Sequence, residues 1–477
     1  MASSNLRSGP GVTLVTHPDL PPAPRAMQVL EYLGRSGLLA VPPVALPDLH
    51  FKPRLETPSS TTTATSDALV LGLTSPSPNC GMALAVTSLG EDDLDEERLD
   101  GLFGRLANSL DPDNRAPAID DAILDDILLH GAAAWVERVG WDSGILDAIE
   151  GRGRVFLPDE AAADRAAIVA SVPAAFRSLA RREFGLIGRG NHFLEVQVID
   201  EVLDKPTAAA WGLSRGQVMV MYHADSGHLG AIAGRLFAHR RKNSPRGRLV
   251  EWRVKLPYHL RDGASLGARW GRLRYFLPRR WLPIQADSDE GYRCRWALGA
   301  AADYAFAGRL AVLETLGQAL GEVWGLAADG PRLLYDAPHN GIWQERVGER
   351  TLWVHRHNAV RVTPPSCFPA DNTYRETGHP VLLPGTERTS SYLCASSEGA
   401  AGSLYSAGHG AGCAAQAMGC VLDEPAWFTR VYGYGGSPVE LRPHLSDDGV
   451  DAVLRALSAH DIARPVVRLR PVAVLKG

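Results

Sequence analysis

The sequence predicts an α+β protein with mixed and antiparallel sheets surrounded by helices, and three observations carry the prediction. Helical periodicity is concentrated in residues 90–110, 160–184 and 297–324. Strand-like runs, alternating or briefly apolar, fall before, between and after those segments. Their order is mixed rather than a repeated strand–helix–strand unit, which disfavours a doubly wound parallel sheet.

Along the chain, residues 1–44 are rich in Pro and Gly and read as an N-terminal extension that wraps the surface, with "AMQVLEYLGR" spaced as a short helix. Residues 45–477 read as one domain. Within it, "TPSSTTTATSDALVLGLTSPSPNCGMALAVT" alternates Ser/Thr turns with two strand-like runs, and Cys80 lies between them. "GEDDLDEERLDGLFGRLANSL" reads as an amphipathic helix with its carboxylates early, where the helix dipole favours them. "EAAADRAAIVASVPAAFRSLARREF" continues helical with a kink at Pro173, and the period changes to 2 at "GLIGRGNHFLEVQVID". "QVMVMYH" is a strand, "ALGAAADYAFAGRLAVLETLGQALGEVW" a long buried helix, and "TLWVH", "NAVRVT" and "VVRLRPVAVL" are late strands.

At 477 residues and 45% hydrophobic content, the chain supports a sizeable core. A net charge of −5 excludes a global basic field that would draw it to nucleic acid or membrane, so such attraction must be local. The block from His239 to about residue 282 is the local exception, with arginines and lysines interleaved with Trp252, Trp270, Tyr275, Phe276 and Trp281. It offers phosphate contacts and stacking faces for RNA, and an ordinary basic surface explains it equally well. No apolar leader and no run of eighteen apolar residues occurs, so a cytoplasmic location without membrane insertion is expected. The six cysteines form no CxxC pair and read as reduced thiols.

Several histidines close strand-like runs: His192, His223, His339 and His409. Strand ends converge in folds, and imidazoles with one thiolate, Cys80, suit a transition metal. Their spacing does not require it, and each also fits an ordinary core histidine. His409 lies in "LYSAGHGAGC", where glycines suit a tight turn or an anion cradled by N–H groups.

The motifs resemble those of the RtcB-type RNA-splicing ligase family. The segments that carry the likeness are "ALPDLHFKP", "NCGM", "GRGNHFLEVQ", "MYHADSGHLG", "DAPHN", "VHRHNAVR", "VLLPGTERTSSYL", "SAGHGAG" and "RPVAVLKG", in the family's order. The resemblance implies GTP- and manganese-dependent joining of RNA 3′-phosphate or 2′,3′-cyclic phosphate ends to 5′-hydroxyl ends, as in tRNA splicing and RNA repair. It implies that Cys80 bridges two Mn²⁺ ions, with His192 on one and His223 and His339 on the other. His409 becomes the nucleophile that takes GMP from GTP. The nucleotide pocket it implies comprises Asn191, Glu195, His339, Asn340, Pro384, Gly385, Thr386, Glu387, Ser391, Gly410, Ala411, Gly412 and Lys476. Residue chemistry alone favours zinc or cobalt, so manganese is implied by the resemblance only. A protein activator is compatible with it.

The chain departs from the family pattern at several places. Ser77 stands where a metal-binding aspartate is expected, which weakens one metal site. "DSGH", Asp225 to His228, lacks an arginine, His357 and Asn358 replace lysine and glycine, and Glu387 and Arg388 stand beside the implied nucleotide. Cys413 occupies the position of an arginine. These departures describe a divergent member, either an active ligase, a protein that binds RNA or nucleotide without ligating, or a cyclic-phosphate phosphodiesterase. Asp225 or Asp48 reaching the site would restore the missing carboxylate.

Overall fold

The computed structural model describes residues 7–9, 11–52, 55–113, 116, 118–240, 244–260, 265–326 and 330–477. A nine-stranded and a six-stranded sheet organise it, with helices packed around them, an α+β architecture as expected.

The larger sheet runs Arg332–Pro338, Gly81–Gly90, Gln217–Ala224, Phe193–Val202, Ala463–Lys476, Ser391–Ser396, Pro380–Leu383. These neighbours are all antiparallel. Phe428–Tyr432 adds a parallel pairing to Ala463–Lys476. Both faces of this sheet are covered, so its strands lack simple polar alternation. Ala83, Ala85, Val218, Val220 and Tyr222 face one hydrophobic cluster, and Met82, Leu84, Val86, Met219 and Met221 face another. That is why "QVMVMY" is apolar throughout.

The first cluster is closed by helices Glu96–Ser109, Asp121–His130 and the 36-residue Asp289–Trp324. The last begins before the apolar run at 297 because Ser288 caps it, its side chain accepting from Gly291 N–H, and it ends at Gly325 with φ 66°. The segment 160–184 is not one kinked helix. It forms three short helices, Pro158–Ala163, Arg165–Ala170 and Ala174–Glu183, because Asp164 leaves helical geometry and Pro173 has no N–H to continue the ladder.

The smaller sheet runs Arg7–Gly9, Val12–Leu14, Val44–His50, Ser59–Thr65, Arg350–His357, Asn340–Val347. Residues before 45 thus contribute strands rather than only wrapping the surface, and Val12, Leu30 and Leu33 are buried. Arg332–Pro338 of the larger sheet passes through His339 directly into Asn340–Val347 of the smaller. His339 therefore sits at the seam. Among the described residues no helix is long and apolar enough to cross a membrane.

Within the basic block, helices Pro245–Leu260 and Leu266–Arg272 carry the charges. Arg240, Lys255 and Arg272 are buried and paired internally: Arg240 with Glu56 at 3.7 Å, Lys255 with Glu251 at 2.5 Å and Arg272 with Glu290 at 2.7 Å. Tyr275 and Phe276 are buried as well. These five cannot serve an RNA track. Arg246, Arg248, Arg253, Trp252 and Trp270 remain exposed, and Arg241 and Lys242 lie outside the described residues.

Candidate active site

Antiparallel pairing explains how residues scattered from 80 to 476 reach one place. In such a sheet the start of one strand lies beside the ends of its neighbours. Gly81 pairs with Pro338 and Ala224, Met82 and Phe193 both pair with His223, and Phe193 pairs with Lys476. Cys80, His192, His223, His339 and Lys476 therefore share one edge. From the other side, strand Ser406–Gly408 pairs with Ala359–Arg361 and delivers His409, whose backbone N–H donates to Asn358 O at 3.3 Å.

Cys80 Sγ lies 3.0 Å from His223 Nε2 and 3.5 Å from His192 Nε2. The imidazoles then form a file: ring centres are 4.7 Å apart for His192 and His223, 5.0 Å for His223 and His339, and 4.4 Å for His339 and His409. His223 Nδ1 lies 3.0 Å from Asn191 O, and since a carbonyl only accepts, Nδ1 carries the proton and Nε2 presents a lone pair toward the thiol. Burial, then neighbouring imidazoles, hold His223 and His339 well below the usual histidine range. Burial pushes the Cys80 thiol well above its usual range, and the charge of Asp225 adds to the rise.

Neutral imidazoles beside a thiol that burial keeps protonated are a donor set that a cation completes. Nδ1 of His192 and of His339 are buried without a hydrogen-bond partner, further unsatisfied donor atoms in the cluster. Cys80, His192 and His223 present one ligand atom each within 4.8 Å of one another. The residues fit a transition metal.

The departure at Ser77 is answered from another strand. Ser77 Oγ donates to Asp225 Oδ2 at 2.5 Å, and the same oxygen lies 3.8 Å from His192 Nε2. A carboxylate thus faces the cluster from the end of Gln217–Ala224 rather than from the cysteine turn. Asp48, the other candidate for that place, accepts from the N–H groups of Cys413 and Ala414 instead. His228 turns outward to Glu183, and Arg388 turns to Pro443 O.

Behind the cysteine turn, Arg309 is fully buried, pairs with Asp336 at 2.7 Å and donates to Asn79 O at 2.9 Å. Asp48 and Asn358 in the cavity wall and Asn79 beside Cys80 hold positive φ (60°, 51° and 56°), conformations that cost about 1–3 kcal/mol each and persist only where the surroundings enforce them. The Arg309 contacts supply that enforcement at Asn79.

A cavity of about 630 Å³ opens over the cluster, within the range of small-ligand sites. Its wall contains Asn191, Glu195, Asn340, Pro384, Gly385, Thr386, Glu387, Ser391, Gly410, Gly412 and Lys476, together with the metal-type cluster and His409. Ala411 is buried behind it, its N–H bonded to Pro384 O at 3.0 Å. Ser391 Oγ accepts from Gly385 N–H at 3.0 Å and from Gln197 Nε2 at 3.2 Å, which fixes the Pro384–Gly385 turn. Gln197 also donates to Glu195 at 2.6 Å, yet burial lifts Glu195 to about 8. Burial would likewise raise Glu387, but Lys476 at 3.4 Å and Arg442 at 2.5 Å keep it below the ordinary carboxylate range. His409 is pushed down to about 3 by burial, with Lys52 and His50 adding to it. It is a neutral imidazole at physiological pH.

Arg309 and Asp336 were not singled out in the sequence, although an arginine inside a long apolar helix signals a buried partner. His50 and Lys52 also line the cavity, four residues or fewer beyond Asp48.

A sequence profile of the family described as tRNA-splicing ligase RtcB matches residues 44–417. The chain is 30% identical over 421 residues to the tRNA-splicing ligase RtcB of Pyrococcus furiosus, and 30% over 424 residues to that of Pyrococcus horikoshii. Each match covers 84% of this chain but only 40% and 44% of those proteins, so the chain spans less than half of their length. The tRNA-splicing ligase RtcB of Thermococcus kodakarensis is 29% identical over 419 residues, 84% of this chain and 80% of that protein.

Proposed function

The chain belongs to the RtcB family of tRNA-splicing ligases, and we propose that it is a GTP- and divalent-metal-dependent RNA ligase acting in the cytoplasm. Its substrates on this reading are RNA 3′-phosphate or 2′,3′-cyclic phosphate ends and 5′-hydroxyl ends. The observation that carries the reading is the position of His409: a half-buried, neutral imidazole whose ring centre lies 4.4 Å from that of His339, at the end of a metal-type cluster and in the wall of a nucleotide-sized cavity.

In the proposed first step a ring nitrogen of His409 attacks the α-phosphorus of GTP, a P–N bond forms, and the P–O bond to pyrophosphate breaks. A neutral imidazole has the lone pair this needs, and the covalent route splits one hard displacement into two easier ones. Divalent ions held by Cys80, His192, His223 and His339, with Asp225 as added carboxylate, would neutralise charge on the phosphate oxygens. Manganese in particular is part of the proposal, because the donor set by itself suits zinc or cobalt as well. On this reading Glu195 and Lys476, both in the cavity wall, meet the base, and the Pro384–Thr386 turn and Gly410–Gly412 meet the phosphates. A 2′,3′-cyclic phosphate end must first add water, which breaks the P–O2′ bond to leave a 3′-phosphate and a 2′-hydroxyl. In the second step an oxygen of the 3′-phosphate attacks the GMP phosphorus, forming a P–O bond and breaking the P–N bond to His409. The RNA 5′-hydroxyl then attacks the activated phosphorus, losing its proton and expelling GMP.

The test is incubation with α-labelled GTP and Mn²⁺. An acid-labile, alkali-stable adduct that disappears in His409→Ala supports the mechanism. No adduct with Mn²⁺, Co²⁺, Zn²⁺ or Mg²⁺, or an adduct that survives His409→Ala, overturns it.

A second reading, nucleotide binding without ligation, is favoured by Glu387, an ionised carboxylate in the cavity wall that engages Lys476. It predicts an adduct or bound GTP with no sealed RNA.

A further inference from the structure

A second group of ligand-type side chains, Asp48, His50 and Cys413, stands in the wall of the same cavity, apart from the Cys80 cluster. One carboxylate oxygen, one imidazole nitrogen and the thiol sulfur lie within 4.8 Å of one another. Ligands of a single tetrahedral zinc ion are about 3.5 Å apart, so side-chain adjustments of about 1 Å would close the set.

Each member is already oriented. His50 Nδ1 lies 2.8 Å from Asp48 O, which puts the proton on Nδ1 and leaves Nε2 as a lone pair. That Nε2 is buried and has no hydrogen-bond partner. The Asp48 carboxylate is held by Cys413 N–H at 3.2 Å and Ala414 N–H at 2.8 Å, one bond on each oxygen, so lone pairs remain on both. Asp48 keeps a positive φ of 60° to do so. The thiol of Cys413 is exposed.

We propose that Asp48, His50 and Cys413 bind a divalent transition cation of the zinc or cobalt class, with a fourth position open to the cavity. The O, N and S donors select against magnesium and calcium, and three protein ligands with one free position match zinc sites that admit a further ligand. The electrostatics agree: burial lifts Asp48 to about 7, and burial and then Asp48 raise the Cys413 thiol. A cation would relieve both. Lys52, whose charge reaches all three residues, is the competing cation. The site does not depend on the ligase reading.

The experiment is alkylation of the intact protein by iodoacetamide with and without Zn²⁺, read by peptide mass spectrometry. Thiolate bound to metal is withdrawn from alkylation, so Zn²⁺ should slow Cys413 by about tenfold or more. Cys367 and Cys420, also exposed, should be unaffected, and buried Cys294 and Cys394 report that the fold is intact. Protection should persist in Cys80→Ser and be lost in His50→Ala and Asp48→Asn. No selective protection, protection that survives His50→Ala, or protection lost with Cys80→Ser overturns the site. Should His50→Ala expose Cys294 and Cys394, Co²⁺ added to Cys80→Ser decides. A thiolate-to-cobalt absorption band that vanishes on the further change Cys413→Ser supports the site, and its absence overturns it.

Discussion

The hydroxyl of Ser77 donates to Asp225 Oδ2 at 2.5 Å, and that oxygen lies 3.8 Å from His192 Nε2. A carboxylate two places after His223 thus faces the cluster where the cysteine turn itself offers only a hydroxyl. Asp225→Asn keeps the shape and removes the charge, and divalent-metal affinity measured by calorimetry should fall about 10–100-fold. Ser77→Asp added to Asp225→Asn should recover much of the loss. A single Asp225→Asn variant with unchanged affinity would remove Asp225 from the metal environment.

If Glu195 meets the base as proposed, nucleotide binding should depend on pH. Burial, opposed by Gln197 and Lys476 and assisted by Glu387, raises its pKa to about 8, so at pH 7 the free protein holds it protonated. The N–H groups of a guanine base need an acceptor, so binding against Glu195 expels that proton. Affinity should therefore rise about tenfold per unit as pH increases from 6 toward 8 and level off above it. Calorimetry at pH 7 in buffers of different ionisation enthalpy should show release of about one proton per GTP. Glu195→Gln should bind without that slope, and a slope retained in Glu195→Gln would assign the proton elsewhere.

The histidines were legible one by one and their assembly was not. His192, His223 and His339 stand at strand ends in the sequence, but only the antiparallel registers, such as Phe193 with His223 and Gly81 with Pro338, show that those ends share an edge. Asp225 was visible as a departure from a motif, whereas its bond to Ser77 spans 148 residues and no local pattern encodes it. The basic block stayed undecided in the sequence for a related reason. Charge density in sequence does not distinguish Arg248, which is exposed, from Lys255, which is fully buried and donates to Ala238 O and Tyr275 O. At 160–184 helical propensity was genuine, and Asp164 and Pro173 divided it.

Arg309 holds the cysteine turn from behind. Arg309→Met leaves Asp336 buried without its partner and Asn79 O without its donor, a change of the kind that costs about 3–5 kcal/mol. Denaturant unfolding should show that loss. The double variant Arg309→Met/Asp336→Leu should be more stable than Arg309→Met alone, because the lone charge is gone. A double variant less stable than the single one would show that the pair is not the dominant interaction.

If the exposed face of helix Pro245–Leu260 carries RNA, its arginines act through phosphate and their effect must depend on salt. Replacing Arg246, Arg248 and Arg253 by Glu should weaken single-stranded RNA binding. The slope of log affinity against log salt should drop by about 0.7 for each phosphate that is no longer neutralised. Trp252, 44% exposed, is placed to stack on a base, so Trp252→Ala should weaken binding at every salt concentration without changing the slope. Lys255→Glu is the contrasting variant. Its ammonium is buried between Glu251 and two carbonyls, so the substitution should lower stability instead of selectively altering the salt slope. An unchanged slope in the triple variant would mean that RNA binds the protein elsewhere, and that the exposed arginines serve only to solvate this face.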